Sequence, residues 1–241
     1  MDFGIWEKWY NEILDDFGFS KDDDEASANE LDEILFDEGA LTLEDLYELI
    51  HTYRKSNDFI VFGAGPSLKK HIQELKENYD LNDYTLIAAD GATTALIEER
   101  IIPDIIATDL DGTINDILLA NCRGSLMVIH AHGNNKEAIL KYTPFFDNIL
   151  GTTQSKPHGN LYNFGGFTDG DRAIFLAVAL EAENIILAGM DFGDVVTKYS
   201  RPNIPGATGP ADEIKKKKLV YAEKLTNWVS ENEDVAIINL K

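Results

Sequence analysis

The sequence predicts an α/β fold, a doubly wound and mainly parallel sheet preceded by an N-terminal helical extension. Three observations predict it. From Asp58 onward short apolar runs alternate with helical patterns, the rhythm of βαβ units. Several of those runs are continuously apolar, as expected of strands covered by helices on both faces. Before Asp58 the apolar residues recur only at helical spacing.

The elements follow in order. In residues 1–56, Trp6, Trp9, Tyr10, Ile13, Leu14 and Phe17 form one helical stripe, and Leu31, Ile34 and Leu35 a second. A third runs from Leu43 to Tyr53, with Thr42 as its N-cap and Asp45 giving the acidic form of a capping box. The acidic run Lys21-Asp22-Asp23-Asp24-Glu25 reads as a solvated helix start rather than a binding site. Residues 57–241 then form the nucleotide-binding α/β domain. Strands are expected at 59–62, 85–89, 105–108, 126–129, 148–150, 184–188 and 235–238. Helices are expected at 67–78, 92–100, 134–140, 169–182 and 212–231.

The chain has 241 residues and a formal net charge of -22, from 21 basic and 43 acidic side chains. Such a surface repels nucleic acid and anionic membranes, so neither is expected as a partner. Adaptation to salty surroundings explains the same charge without a functional meaning. An anionic ligand must be held by local devices: metal ions, backbone amides and a few placed cations. Cys122 is the single cysteine, which excludes an internal disulfide and suits a reducing interior. The start lacks a signal-peptide pattern, and no uncharged apolar stretch nears the ~20 residues of a membrane span. A cytoplasmic enzyme is expected, and a homo-oligomer stays open.

In doubly wound sheets ligands bind beyond the carboxyl ends of the strands, so the residues after each strand are the candidates. After the first strand, Gly63-Ala64-Gly65-Pro66-Ser67-Leu68 offers glycine amides and a helix start for phosphate, or simply a tight turn. Leu68 breaks the dinucleotide fingerprint, and the lysine of a P-loop is missing. After the second strand, Asp90 can bond a ribose or face a metal. After the third, Asp109 and Asp111 flank one residue beside Gly112, an arrangement that shares one hard cation such as Mg²⁺.

His130 and His132, with Asn134 and Asn135, end the fourth strand. They suit hydrogen bonds to phosphate or ribose, since no third ligand has zinc spacing. Thr152, Thr153 and Gln154 offer hydroxyls and an amide in the same manner. Phe167-Thr168-Asp169-Gly170-Asp171-Arg172 opens an apolar helix. There Thr168 or Asp169 serves as cap, Asp169 as an acid for metal or substrate, and Arg172 as a phosphate clamp. Asp191 and Phe192, after a later strand, suit a flat heterocycle with ring N–H donors. Residues 201–210 read as a loop or lid. Of Lys215 to Lys218, one or two can reach a phosphate, or the whole run is solvated.

In this order the stretches resemble the archaeal 6-hydroxymethyl-7,8-dihydropterin diphosphokinases. The resemblance includes Trp6, Tyr10 and Asp16-Phe17-Gly18-Phe19, and so covers nearly the whole chain. The central part is similar to thiamin pyrophosphokinases, whose acidic motifs carry over to Asp90, Asp109, Asp111 and Asp169. The chain departs from them at Ala92, Thr108 and Met190-Asp191-Phe192, which puts thiamin in doubt as acceptor. The resemblance implies diphosphate transfer from ATP to 6-hydroxymethyl-7,8-dihydropterin, on the way to tetrahydromethanopterin or folate. Asp109, Asp111 and Asp169 are then expected to hold Mg²⁺, with Asp90 in support. Gly63, Gly65, Pro66, Ser67, His132, Asn134, Thr153 and Arg172 are expected to hold ATP phosphates, and Phe167, Asp191 and Phe192 the pterin.

Two rivals differ in class. Asp109-Leu110-Asp111-Gly112-Thr113 also matches the first motif of haloacid-dehalogenase-type phosphatases, which predicts an aspartyl-phosphate on Asp109. That motif usually sits on a first strand, whereas here two βα units precede it. A non-catalytic nucleotide-binding or glycan-modification module on the same fold is the other, and the full acidic set argues against it.

Overall fold

The computed structural model describes residues 1–54 and 56–241, so Lys55, beside the expected boundary at 56–57, lies outside the described residues. Three helices come first: α1 (Phe3–Phe17), α2 (Lys21–Glu38) and α3 (Leu43–Tyr53). Asp2 caps α1 by accepting from the Gly4 amide, and Gly18 ends it in the left-handed region. Ser20 caps α2, whose first turn carries Asp22, Asp23 and Asp24 against the positive end of its dipole. The Thr42–Asp45 capping box of α3 forms as expected.

The α/β part runs β1 (Asp58–Phe62), α4 (Leu68–Asn78), β2 (Thr85–Ala89), α5 (Ala92–Glu98), β3 (Ile105–Thr108), α6 (Ile114–Asn121), β4 (Leu126–Ala131), α7 (Lys136–Tyr142), β5 (Ile149–Thr153) and β6 (Leu161–Tyr162). It continues α8 (Asp169–Ala179), β7 (Asn184–Ala188), β8 (Val195–Thr197), β9 (Thr208–Pro210), α9 (Glu213–Asn232) and β10 (Ala236–Asn239). The main sheet has the order β10-β7-β1-β2-β3-β4-β5-β6, and every neighbouring pair in it is parallel. The chain winds outward from β1 to β6, then returns to the other side of β1 for β7 and β10. All strand carboxyl ends therefore meet on one edge, with the switch of direction at β1.

Alternation along the strands divides the core. Phe59, Val61, Ile87, Ile105, Val128, Ile185 and Leu187 pack with α1, α3, α8 and α9. Ile106, Met127, Ile129 and Ile149 pack with α2, α6 and α7, while Ile60, Phe62, Leu86 and Ala88 pack with α4 and α5. The N-terminal helices thus cover both faces of the sheet: α1 and α3 join one, and α2 the other through Leu31 and Leu35.

Several element ends differ from expectation, for local reasons. The helix expected to reach residue 100 stops at Glu98, where Arg100 takes φ 61; the one expected to reach 182 stops at Ala179, where Glu181 takes φ 60. Left-handed residues break the helical hydrogen-bond run. Helix α6 was not expected; Thr113 stands at its N-cap but makes no side-chain cap bond. Strands β6, β8 and β9 have two or three residues each, too few for a periodicity. The segment expected as a loop at 201–210 therefore ends in β9, the antiparallel partner of β8.

Candidate active site

A cleft opens on the carboxyl edge of the sheet, walled by the turns after β1, β2, β3, β4 and β7, the α1–α2 turn, the start of α8 and one face of α9. Asp90, Asp109 and Asp111 converge there, each offering a carboxylate oxygen within 4.8 Å of the others. Backbone geometry produces this convergence. Leu110 takes φ 68 and is buried, so the chain turns sharply and leaves Asp109 and Asp111 on the cleft side. Asp90 itself takes φ 40, and its side chain lies over Gly112, where any Cβ would overlap the carboxylate. Left-handed non-glycine residues cost on the order of 1–3 kcal/mol each and concentrate where function demands them. Thr108 orients the group: its hydroxyl donates to Asp90 Oδ1 at 2.5 Å and accepts the Leu110 amide at 2.8 Å.

The trio differs from the expected metal set by exchanging Asp169 for Asp90. Asp169 lies in the same cleft, but its Oδ1 accepts from Arg172 Nη1 at 3.1 Å. Asp169 escapes capping duty because Thr168 and Asp171 form the capping box of α8, with buried Asp171 accepting from the Phe167 and Thr168 amides. Burial and the charge of Asp109 push the Asp169 carboxyl up to about 8, against the opposing pull of Arg172. Burial and the charges of Asp169, Asp109 and Asp111 also raise Asp90 far above the usual carboxylate range. Burial works the same way on Asp109, but the hydrogen bond and charge of His132, with Arg172, outweigh it and hold that carboxyl low. Burial and the charge of Asp109 raise Asp111 too, and a crowd of acids in which three resist ionisation is what a divalent cation relieves.

Opposite the acids stand Arg172, Lys215 and Lys218. The lysine run divides by helical position: Lys216 pairs with Glu213 and Lys217 with Asp16, while Lys215 and Lys218 line the cleft. Lys218 Nζ sits 5.6 Å from the Phe19 ring centre and 5.4 Å from that of Phe167. Burial, with Arg172 and Lys215 nearby, lowers its proton affinity. Phe19, Phe167 and Phe192 give the cleft its aromatic surface.

Two expectations are corrected. Gly63 and Gly65 line the cleft, but in the turn after β1 their amides and that of Ser67 are already engaged. The Gly63 amide donates to Ala188 O at 2.8 Å, and that of Gly65 to Gly189 O at 2.9 Å. The Ser67 amide and hydroxyl both donate to Asp191 Oδ2, at 3.1 and 2.8 Å. The protein thus supplies its own anion at the start of α4, and glycine is needed at 63 and 65 because the β7 turn presses against them. Thr153 is the second correction. It is buried, its hydroxyl is engaged with Ser155, and it does not line the cleft; its neighbour Gln154 does. His132, Asn134 and Pro66 line the cleft as expected, as do Asp191, Phe167 and Phe192. His132 Nε2 contacts Asp109 Oδ2 at 3.0 Å, so it reaches the site through an acid.

The model of a family described as 6-hydroxymethylpterin diphosphokinase MptE-like matches residues 37–197. The chain is 54% identical to a 6-hydroxymethyl-7,8-dihydropterin pyrophosphokinase of Methanothermobacter thermautotrophicus, over 98% of this chain and 99% of that one. The chain belongs to this family. It is 46% identical to the enzyme of the same name from Methanocaldococcus jannaschii, over 99% of this chain and all of that one. Identity to the Pyrococcus furiosus protein of that name is 43%, over 97% of each chain. The chain is thus an enzyme of the pyrophosphokinase kind.

The family model begins after α1 and most of α2, yet those helices enter the site. Asp24, in the run expected to be solvated, is buried. Its Oδ1 accepts the Gly133 amide at 2.7 Å; its Oδ2 accepts Tyr10 Oη at 2.7 Å and Gln154 Nε2 at 2.8 Å. Trp6 Nε1 donates to the Gln154 carbonyl at 2.8 Å. Asn135, grouped in the sequence with the donors to phosphate or ribose, is instead turned onto the backbone. Its buried amide donates to Asp109 O at 2.8 Å and His130 O at 2.7 Å, fastening the ends of β3 and β4 together. Periodicity carries no signal for either, because both act through single hydrogen bonds.

Proposed function

We propose that this enzyme transfers the β,γ-diphosphate of ATP to the hydroxymethyl oxygen of 6-hydroxymethyl-7,8-dihydropterin, with Mg²⁺, releasing AMP and the pterin diphosphate. The activity named for three relatives aligned over nearly the whole chain supports the acceptor and the group transferred. The observation that carries the reading is the opposition, across one cleft, of the Asp90–Asp109–Asp111 trio and the cations Arg172, Lys215 and Lys218.

The donor set fits a hard cation: three carboxylates, two of them sharing one turn, and no thiol or imidazole among them. Mg²⁺ held there would neutralise charge on the phosphate oxygens. The remaining work falls to side chains. Arg172, Lys215 and Lys218 draw the polyphosphate toward the acids despite the net charge of -22. Phe19, Phe167 and Phe192 offer flat apolar contact to a heterocycle. Asp191 keeps Oδ1 for a ring N–H, since Ser67 occupies Oδ2. The alcohol oxygen bonds to the β-phosphorus as the bond from that phosphorus to the α,β-bridging oxygen breaks. AMP leaves with the bridging oxygen, and the alcohol proton passes to solvent. Such a transition state needs positioning and charge stabilisation more than a protein nucleophile. Asp109 as a phosphatase nucleophile fits poorly, because His132 and the acid trio already engage it. With this acceptor the enzyme would serve tetrahydromethanopterin- or folate-type pterin synthesis, a role that suits the cytoplasm.

The test is acceptor choice. The purified chain is incubated with ATP, Mg²⁺ and either the pterin alcohol or thiamin. AMP formed with the pterin alone is expected. AMP formed equally with thiamin, or inorganic phosphate without AMP, contradicts the proposal.

A further inference from the structure

Behind the acidic trio, between β3, β4, β5 and α8, lies a second cavity of about 20 Å³. A space of that size admits one water if polar groups line it. Its walls include His130, Thr152, Asp169 and Arg172 alongside Val128 and Leu176. Among the described residues, six buried side-chain polar atoms have no hydrogen-bond partner. Two of the six, His130 Nε2 and Arg172 Nε, belong to residues lining this one cavity. An orphaned buried polar atom is costly and calls for a partner.

The surrounding bonds fix what each orphan needs. Thr152 Oγ1 donates its proton to Ile129 O at 3.2 Å, so it can only accept from His130 Nδ1, 3.0 Å away. His130 therefore carries its proton on Nδ1, and Nε2 is an acceptor. Burial first, then the charges of Arg172 and His132, keep the ring neutral. Arg172 Nε–H can only donate. One water satisfies both: it accepts from the guanidinium and donates to the ring.

We propose that this cavity holds one ordered water that accepts from Arg172 Nε–H and donates to His130 Nε2, making His130 a positioning residue for Arg172. The guanidinium is then held at all three nitrogens: by Asp169 Oδ1 at 3.1 Å, by Gln154 Oε1 at 3.4 Å and by the water. Its plane is set before any phosphate arrives. Displacing a charge clamp by about 1 Å can cost on the order of a hundredfold in rate, so the restraint bears on catalysis. The rate consequence rests on the proposed function; the water does not.

Two measurements decide it. In a high-resolution crystal structure, density for a water within hydrogen-bond distance of both His130 Nε2 and Arg172 Nε is expected; empty density, or a direct contact between the two side chains, overturns the proposal. In kinetics, His130→Leu should lower kcat by roughly tenfold with the KM for the pterin unchanged. The same substitution made in an Arg172→Lys background should then lower it no further. An equal loss with and without Arg172 overturns the positioning. Should His130→Leu fail to fold, Thr152→Val frees the ring to carry its proton on Nε2, and a drop in kcat that again depends on Arg172 is expected; full activity in this variant overturns the proposal. If the wild type forms no AMP with the pterin, the assigned reaction fails, while the density still decides the water.

Discussion

His132 Nε2 lies 3.0 Å from Asp109 Oδ2, and the contact has a direction. The Asp109 carboxylate is held ionised and can only accept, so Nε2 carries the proton and donates it. The bond favours the ionised carboxylate, the form that binds a cation. His132→Ala should therefore raise the Mg²⁺ concentration needed for half-maximal activity by about tenfold, and more so at acidic pH, where protons compete for Asp109. Magnesium titrations of wild type and variant at two pH values measure this. An unchanged requirement would show that His132 acts elsewhere.

Asp90 sits in a conflict that only a bound cation resolves. It is buried, it faces Asp169, Asp109 and Asp111, and its backbone has φ 40. Asparagine keeps the shape, still accepts from Thr108 and tolerates a left-handed backbone better. Asp90→Asn should thus stabilise the metal-free protein by about 1 kcal/mol, roughly 2–4 °C in Tm, while lowering turnover on the order of a hundredfold. Thermal unfolding in chelator, set beside AMP formation in Mg²⁺, gives both numbers. Loss of stability together with activity would mean that Asp90 is a structural acid.

The same crowding predicts a pH dependence. The Asp169 carboxyl is raised to about 8, although a fifth of its side chain stays exposed. A free carboxyl lies near 4. Between those values the folded state holds a proton that the unfolded state has lost, so its stabilising contribution is present at low pH and fades as pH rises through 8. His130 and His71 are shifted down from their ordinary range by burial and push stability the opposite way at and below about 6.5. The comparison therefore belongs above that range. Metal-free Tm should fall from about pH 7 to about pH 8.5 by a few degrees, and saturating Mg²⁺ should flatten the slope. A metal-free Tm that rises over this window would contradict the electrostatics described for the cleft.

Asp24 accepts three hydrogen bonds in the interior, from Gly133, Tyr10 and Gln154. Asp24→Ala strands all three donors. It should cost about 3 kcal/mol, roughly 6–12 °C in Tm, and raise the KM for ATP several-fold by loosening the turn at Gly133. Tyr10→Phe, which removes one donor and leaves two satisfied, should cost about 1 kcal/mol with little change in KM. Calorimetry and steady-state kinetics on the pair separate the two effects. Equal behaviour of both variants would remove Asp24 from the account.

What could be read from sequence alone divides along physical lines. The strands at 85–89, 105–108 and 184–188 have their observed bounds because continuous apolar runs between turns mark buried parallel strands. The strand-end rule led from there to Asp90, Asp109, Asp111 and Asp169, all in the cleft. It failed where a residue's use depends on a distant partner. Ser67 looks available until Asp191, far along the chain, takes its amide. Asp24 looks solvated until Gly133 and Gln154 are folded against it. Thr153 shares a strand end with Gln154, and only the alternation of side chains across β5 decides which of the two reaches the cleft.

The most direct test of the central claim is phosphorus NMR of the reaction mixture with ATP, Mg²⁺ and 6-hydroxymethyl-7,8-dihydropterin. Diphosphate transfer predicts AMP and a pterin diphosphate ester appearing in equal amounts, with neither product formed by Asp109→Asn. ADP with a pterin monophosphate, or inorganic phosphate as the main product, would contradict it.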